Sequence, residues 1–149
     1  MSGVILDTHA FLWFVLDDPR LPRALDSVFN DPTITKALSI ASLWEIVIKA
    51  QLGKLKLPMS AEAFFQAYVT ERDVEVLPIS LADLSAYHEL PLHHRDPFDR
   101  LIIAQAQVAH RPIVTADPKF KLYPVDVTWS DAFVKTFGSL TSKPGPRQG

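Results

Sequence analysis

Short apolar runs alternate along the chain with longer stretches whose apolar residues recur at helical spacing. The short runs predict five strands, at residues 4–6, 38–41, 74–79, 112–115 and 125–129. The longer stretches predict helices at residues 10–16, 22–29, 42–51, 80–90 and 97–110, and one more that begins at residue 60. Strands that alternate with helices are typical of an α/β fold, in which helices cover both faces of a mostly parallel sheet.

The composition is that of an ordinary globular protein. The chain has 149 residues, of which 48% are hydrophobic and 21% charged, and its formal net charge is −2. This size suits one domain, predicted at residues 1–138, followed by a flexible tail rich in Ser, Pro and Gly at residues 139–149. A general basic coat for nucleic acid is excluded, so an anionic partner must be held by local charge or by metal ions.

The targeting features predict a cytoplasmic protein without membrane attachment. The start MSGVILDTHAF lacks the basic first segment of a signal peptide, and no apolar stretch approaches the roughly 20 residues that span a bilayer. Cysteine is absent from the chain, which excludes disulfides and thiolate metal sites and fits a reducing compartment.

Four acidic residues stand just after predicted strands or open the helices between them. They are Asp7, Glu45, Asp99 and Asp117, and Asp96 lies one turn before Asp99. The carboxyl ends of parallel strands meet at one edge of a sheet, and binding sites form there, where the strand order reverses. We therefore expect these acids to converge.

Each acid also has a purely structural interpretation. Ser42 and Glu45 have the spacing of a capping box, and Asp7 with Thr8 could cap the following helix. Asp96 followed by Pro97 reads as an N-cap and a first helical residue, and Asp117 is followed by Pro in the same way. For any single acid, this interpretation stays open.

The surroundings of Asp99 and Glu45 argue for more than capping. Both acids stand among apolar neighbours, and a buried carboxylate is costly unless it is paired or bound to a cation. Several acids at one sheet edge need raised pKa values or a divalent metal, and oxygen ligands without Cys favour Mg²⁺ or Mn²⁺. His93 and His94 are interpreted as surface or phosphate-facing residues rather than as ligands.

Four motifs in this order resemble the PIN-domain ribonucleases, and more narrowly the VapC-type toxins of bacterial toxin–antitoxin pairs. The motifs read LDTHAFLW, SLWEIVIK, HHRDPFDRLIIAQA and VTADPKF, and the resemblance extends to about Trp129. It implies a Rossmann-like, three-layer α/β/α sandwich and an endoribonuclease that depends on Mg²⁺ or Mn²⁺. It also implies an antitoxin that inhibits the acidic pocket, and a homodimer.

The resemblance assigns roles to individual residues. Asp7 and Asp99 would be the principal metal ligands, Asp117 would complete the acid set, and Glu45 would bind a metal or orient the attacking water. Supporting roles fall to Thr115, which could hold a carboxylate by a hydrogen bond, and to Asp96, as ligand or only as cap. Arg95 and Arg100 are the first candidates for RNA contacts, although Arg100 could instead pair with Asp96.

The basic and aromatic residues near these motifs have two interpretations each. The other basic candidates for RNA contacts are Lys49, Lys54, Lys56, Lys119 and Lys121. Trp13, Phe14 and Trp44 are expected to pack in the core, and the resemblance adds the alternative of a groove for an antitoxin segment.

Other classes explain the sequence less well. A haloacid-dehalogenase-like phosphatase needs a second acid two positions after Asp7, where this chain has His9. A P-loop hydrolase is disfavoured because the GxxxxGK[ST] motif is missing. A receiver-like or metal-sensing module without catalysis stays open, although the Lys that a receiver requires after a late strand is matched only by Lys119, which follows Pro118.

Overall fold

A five-stranded parallel sheet lies at the centre of the computed structural model, which describes residues 2–128. The strands are β1 Ser2–Leu6, β2 Ile34–Ser39, β3 Glu75–Leu77, β4 Ile113–Val114 and β5 Val127–Thr128. Their order is β3-β2-β1-β4-β5, and every neighbouring pair is parallel. The predicted domain end at residue 138, the tail 139–149 and Trp129 lie outside the described residues.

Helices connect the strands. They are α1 Thr8–Val15, α2 Asp26–Phe29, α3 Ile40–Gln51, α4 Ala61–Phe65, α5 Leu81–Glu89 and α6 Pro97–Ala109. A 3₁₀ turn at Arg23–Leu25 precedes α2, a π-helical turn at Gln66–Thr70 extends α4, and a second 3₁₀ turn covers Pro118–Leu122. Within residues 2–128, no helix is both long and apolar enough to cross a bilayer.

Alternation along β1 divides the interior into two cores. Val4 and Leu6 pack with Phe11 of α1 and Ile46 of α3 on one face of the sheet. Ile5 between them packs on the other face, in a second core that contains Ile102 and Ile103 of α6 and Ile113 of β4. Because side chains alternate along a strand, one buried strand supplies both cores. The structure thus confirms the predicted α/β fold with helices on both faces.

The second strand begins and ends earlier than predicted. The sequence predicts it at residues 38–41, but Ile40 and Ala41 belong to α3. The reason is a cap, since the Ser39 hydroxyl accepts a hydrogen bond from the Ala41 amide and starts the helix there. Ser42 is consequently inside the helix, and the predicted Ser42–Glu45 capping box is wrong.

The strand order reverses beside β1. The chain first adds β2 and β3 on one side of β1 and then crosses to add β4 and β5 on the other. In open parallel sheets the crevice at such a reversal receives ligands. Asp7 follows β1 and Thr115 follows β4, so both residues lie at that crevice.

Candidate metal and catalytic site

Asp7 lies between β1 and α1, and both of its oxygens accept hydrogen bonds. The Ala10 amide donates to Oδ1 at 2.7 Å, which caps α1, and the Thr115 hydroxyl donates to Oδ2. Burial raises the pKa of the Asp7 carboxyl, and the two hydrogen bonds act in the opposite direction. The Asp7 carboxylate is therefore buried, and its orientation is fixed by these two hydrogen bonds.

Asp96 is the N-cap of α6. Its Oδ1 accepts hydrogen bonds from the amides of Phe98 at 2.8 Å and Asp99 at 3.2 Å, and Pro97 occupies the first helical position. This is the arrangement that the capping interpretation predicts. The cap fixes the first turn of α6, which carries Asp99.

The carboxyl group of Asp99 is strongly perturbed. Burial, and to a smaller extent the charges of neighbouring acids, raises its pKa to about 8. Those neighbours, in decreasing order of influence, are Asp96, Glu45, Asp7 and Asp117. The acids that the sequence places after separate strands and at helix starts therefore do act on one another in the folded chain.

Asp117 follows β4 and begins the 3₁₀ turn at Pro118–Leu122. Its Oδ1 accepts the Lys119 amide at 2.9 Å, and its own amide donates to Thr115 Oγ1 at 3.0 Å. Thr115 thus contacts Asp7 through its hydroxyl hydrogen and Asp117 through its oxygen. One threonine links two of the acids.

His94 is in the middle of this cluster. Its Nε2 lies 2.9 Å from Asp117 Oδ2 and 3.1 Å from Asp99 Oδ2, and the residue is only 7% exposed. The expectation of a surface or phosphate-facing histidine is wrong for His94, although it holds for the exposed His93. The sequence of two adjacent histidines does not indicate which ring is buried. The only sequence signal for a histidine near the acids is that the pair directly precedes the segment that contains Asp96 and Asp99.

Glu45 is on α3, buried, and held by a network of its own. Its Oε1 lies 2.8 Å from Thr8 Oγ1, which is also 2.9 Å from Ser42 Oγ. Its Oε2 forms an ion pair with Lys49 at 2.9 Å, one helical turn later. Lys49 therefore neutralises Glu45, an arrangement that weakens the case for Lys49 as an RNA contact.

Arg100 contradicts its predicted role in RNA binding. The residue is 6% exposed, its Nη1 donates to the Pro91 carbonyl at 2.9 Å, and its guanidinium lies 4.8 Å from the centre of the Tyr87 ring. A guanidinium satisfied in this way joins α6 to the segment before it. The alternative pairing with Asp96 is not among the contacts of the described residues either, whereas Arg95 is exposed, as an RNA contact requires.

Trp44 contradicts the expectation of core packing. The residue is 61% exposed and meets Phe98 edge to face, with ring centres 5.4 Å apart. Each of these aromatic residues immediately precedes an acid of the site, Glu45 or Asp99. The sequence could not distinguish this position from a core position, because Trp44 stands in an apolar run that is buried only on its other side.

The tightest group of potential metal ligands among residues 2–128 consists of His94, Asp99 and Asp117. One ligand atom from each lies within 4.8 Å of the others. Two ionised carboxylates at that separation repel by about 3 kcal/mol at an effective dielectric constant near 20, and a divalent cation would remove this repulsion. The two carboxylates therefore fit a hard cation, and Asp7 and Glu45 lie outside the tightest group.

Comparison with known proteins identifies the family. The PIN domain model matches residues 4–125, so the chain belongs to the PIN domain family. A comparison with curated protein sequences found no match.

Solved structures share the fold at low sequence identity. VapBC from Salmonella typhimurium, bound to DNA, is 19% identical with a TM-score of 0.69, and the match covers 86% of this chain and 98% of that one. VapBC2 from Rickettsia felis, bound to a promoter DNA fragment, is 19% identical with a TM-score of 0.65 and coverages of 87% and 100%. VapBC-1 from nontypeable Haemophilus influenzae is 18% identical with a TM-score of 0.61 and coverages of 85% and 97%.

Proposed function

We propose that this protein is a divalent-metal-dependent endoribonuclease that acts as the VapC-type toxin of a toxin–antitoxin pair. The observation that carries the proposal is the convergence of Asp99 and Asp117 on His94, with Asp7 and Glu45 close enough to raise the pKa of Asp99. This acid set lies at the reversal of strand order in a PIN domain. Clusters of carboxylates of this kind serve phosphodiester chemistry by holding Mg²⁺ or Mn²⁺.

Each acid has a distinct task in the proposed reaction. Asp99 and Asp117 bind the cation, and Asp7, whose orientation is fixed by Thr115 and Ala10, completes the binding site directly or through water. When bound, the cation supplies an activated water for in-line attack and neutralises charge on the phosphate. Glu45, held by Thr8 and Lys49, accepts a hydrogen bond from the attacking water and orients it. Asp96 acts as the cap that positions Asp99.

The exposed Arg95 is proposed to steer RNA towards this site. It lies one residue after His94 and one before Asp96, and it is exposed where Arg100 is buried. Because the chain as a whole has no basic surplus, the RNA would be positioned by phosphate contacts from a few basic side chains.

The decisive experiment is cleavage of labelled RNA by the purified protein. We expect cleavage in Mg²⁺ or Mn²⁺, none in EDTA, and a loss of at least about 100-fold in Asp99→Asn and Asp7→Asn. Normal cleavage by both folded variants would contradict the proposal. Metal binding without cleavage of any RNA would instead favour a metal-sensing or receiver-like module, and hydrolysis of a small phosphate ester alone would favour a different phosphohydrolase.

The partner is proposed to be an antitoxin that covers the exposed apolar stripe of α3 beside the site. The stripe consists of Ile40, Trp44 and Val47, which recur at helical spacing. Several of the structural neighbours are VapBC proteins, and we propose that a basic side chain from a segment seated on this stripe enters the acidic site. We also propose that the protein is a homodimer and acts in the cytoplasm. Size-exclusion chromatography with light scattering and cell fractionation test these two points.

A further inference from the structure

His94 contacts two acids of the proposed site, Asp99 and Asp117, although the sequence predicted no contact between this histidine and the acids. We propose that His94 is a positioning residue, whose Nε2–H group holds the Asp99 and Asp117 carboxylates in the arrangement that takes up a divalent cation. The inference rests on the proposed function for the identity of the site. It assigns His94 a role that is neither core packing nor metal ligation.

The hydrogen bond at the other ring nitrogen determines which atom carries the proton. The Asp96 amide donates to His94 Nδ1 at 3.2 Å, so this nitrogen presents its lone pair. The ring proton is then on Nε2, which lies 2.9 Å from Asp117 Oδ2 and 3.1 Å from Asp99 Oδ2. In this tautomer Nε2 has no lone pair to offer a metal, so it acts as a donor to both carboxylates.

The ring is held in place from the segment that follows β4. The His94 amide donates to Tyr123 Oη at 2.8 Å, and the ring meets Phe120 edge to face with centres 5.8 Å apart. Both aromatic residues lie just beyond Asp117, whereas Asp99 belongs to α6. His94 therefore connects the start of α6 to the segment after β4, and so fixes the spacing between the two acids.

The hydrogen bonds leave the carboxylates able to bind a cation. His94 uses one lone pair on Oδ2 of each acid, and a carboxylate has about four such positions. Groups of this kind, which orient metal ligands without touching the metal, change metal affinity by about 10–100-fold when they are removed.

Three substitutions distinguish the contribution of the Nε2–H donor of His94 from that of its aromatic ring. His94→Phe keeps the ring shape without a donor, His94→Gln places an amide N–H near the position of Nε2, and His94→Asn is polar but too short. Calorimetry with Mn²⁺, in the absence of RNA, measures the affinity, and far-UV circular dichroism with thermal unfolding in EDTA checks the fold. We expect Kd to rise about 10–100-fold in the Phe and Asn variants and to stay within about 5-fold of wild type in the Gln variant.

Unchanged Mn²⁺ affinity in a folded His94→Phe protein would overturn the inference. Equal losses in all three variants would also overturn it, because the ring itself would then be required. Long-range ¹⁵N–¹H NMR of the wild-type histidines needs no variant to fold, and an unprotonated Nε2 of His94 in the metal-free protein would contradict the proposed donor. None of these readouts uses RNA, so a failure to cleave RNA would count against the proposed function alone.

Discussion

Thr115 donates its hydroxyl hydrogen to the carboxylate of Asp7, although 108 positions separate the two residues in the sequence. The contact follows from the sheet, in which Leu6 of β1 is paired with Val114 of β4 and the next residue of each strand lies at the same edge. Both residues are almost completely buried. The hydrogen bond therefore orients the Asp7 carboxylate at the point where the strand order reverses.

Removing this hydroxyl should destabilise the protein through Asp7. Thr115→Val keeps the shape of the side chain but leaves a buried carboxylate oxygen without its donor, which costs about 1–3 kcal/mol at pH 7. Thr115→Ser retains the donor and should lose less than half as much. Urea unfolding in EDTA measures both free energies of unfolding, and equal stability of the Val and Ser variants would show that the hydrogen bond contributes nothing.

Much of the framework could be predicted from the sequence because it depends on local signals. The apolar runs indicate all five strands, and Asp96 with Pro97 marks a helix start that the structure confirms as a cap. The predicted start of α3 is wrong by two residues because Ser39 caps the helix, whereas Ser42 lies inside it, buried and in contact with Thr8.

The site is harder to predict in its details because burial on one side of a helix depends on distant residues. Arg95 and Arg100 look equivalent in the sequence, yet the first is exposed and the second is enclosed by α5 and the segment before α6. The proximity of the acids follows from the parallel sheet. The position of His94 between Asp99 and Asp117 does not follow from the sheet, because these two acids lie 5 and 23 positions away in the sequence.

Asp99 should make the metal-free protein less stable as the pH rises. Its pKa is about 8 in the folded chain, against an ordinary value of 3.8, so the unfolded chain releases a proton that the folded chain retains between about pH 4 and 8. The free energy of unfolding therefore falls across this interval and levels off above it. Asp99→Asn should remove this contribution and stabilise the protein at pH 8 by on the order of 1–3 kcal/mol, with little change at pH 4.

Urea unfolding in EDTA at several pH values measures this effect, and Asp126→Asn, at an exposed aspartate, is the matched control. A bound divalent cation favours the ionised carboxylate, so saturating Mn²⁺ should reduce the difference between wild type and Asp99→Asn in the dependence on pH. If the free energy of unfolding of wild type and of Asp99→Asn depends on pH in the same way in EDTA, Asp99 does not titrate as described.

The ion pair between Glu45 and Lys49 should contribute to stability as well as to the site. Lys49→Met preserves the apolar stem but leaves the buried Glu45 carboxylate without its cation, and we expect a loss of about 1–2 kcal/mol, since the lysine itself is partly exposed. Lys49→Arg should restore most of it. Equal stability of wild type and Lys49→Met by urea unfolding at pH 7 would show that Glu45 does not depend on this partner.

Trp44 should matter for binding of the proposed antitoxin and little for the fold. With 61% of its surface exposed, its replacement by Ala should change the free energy of unfolding by less than about 1 kcal/mol. Pull-down with the proposed antitoxin should nevertheless lose at least about 10-fold in affinity, since buried tryptophans dominate interfaces. Leu81→Ala, at an exposed apolar residue on α5, is the control, and equal affinities in the two variants would place the partner elsewhere.

Arg95 and Arg100 are the same residue type five positions apart, so their variants distinguish effects on the proposed RNA binding from effects on stability. Arg100→Lys keeps the charge but loses the planar group that contacts the Pro91 carbonyl and Tyr87, so we expect a loss of about 1–3 kcal/mol in stability. Arg95→Ala should leave stability within about 0.5 kcal/mol and raise KM for RNA several-fold, with a weaker dependence on salt. A destabilised Arg95→Ala protein, or an Arg100→Lys protein of normal stability with a raised KM, would reverse the two assignments.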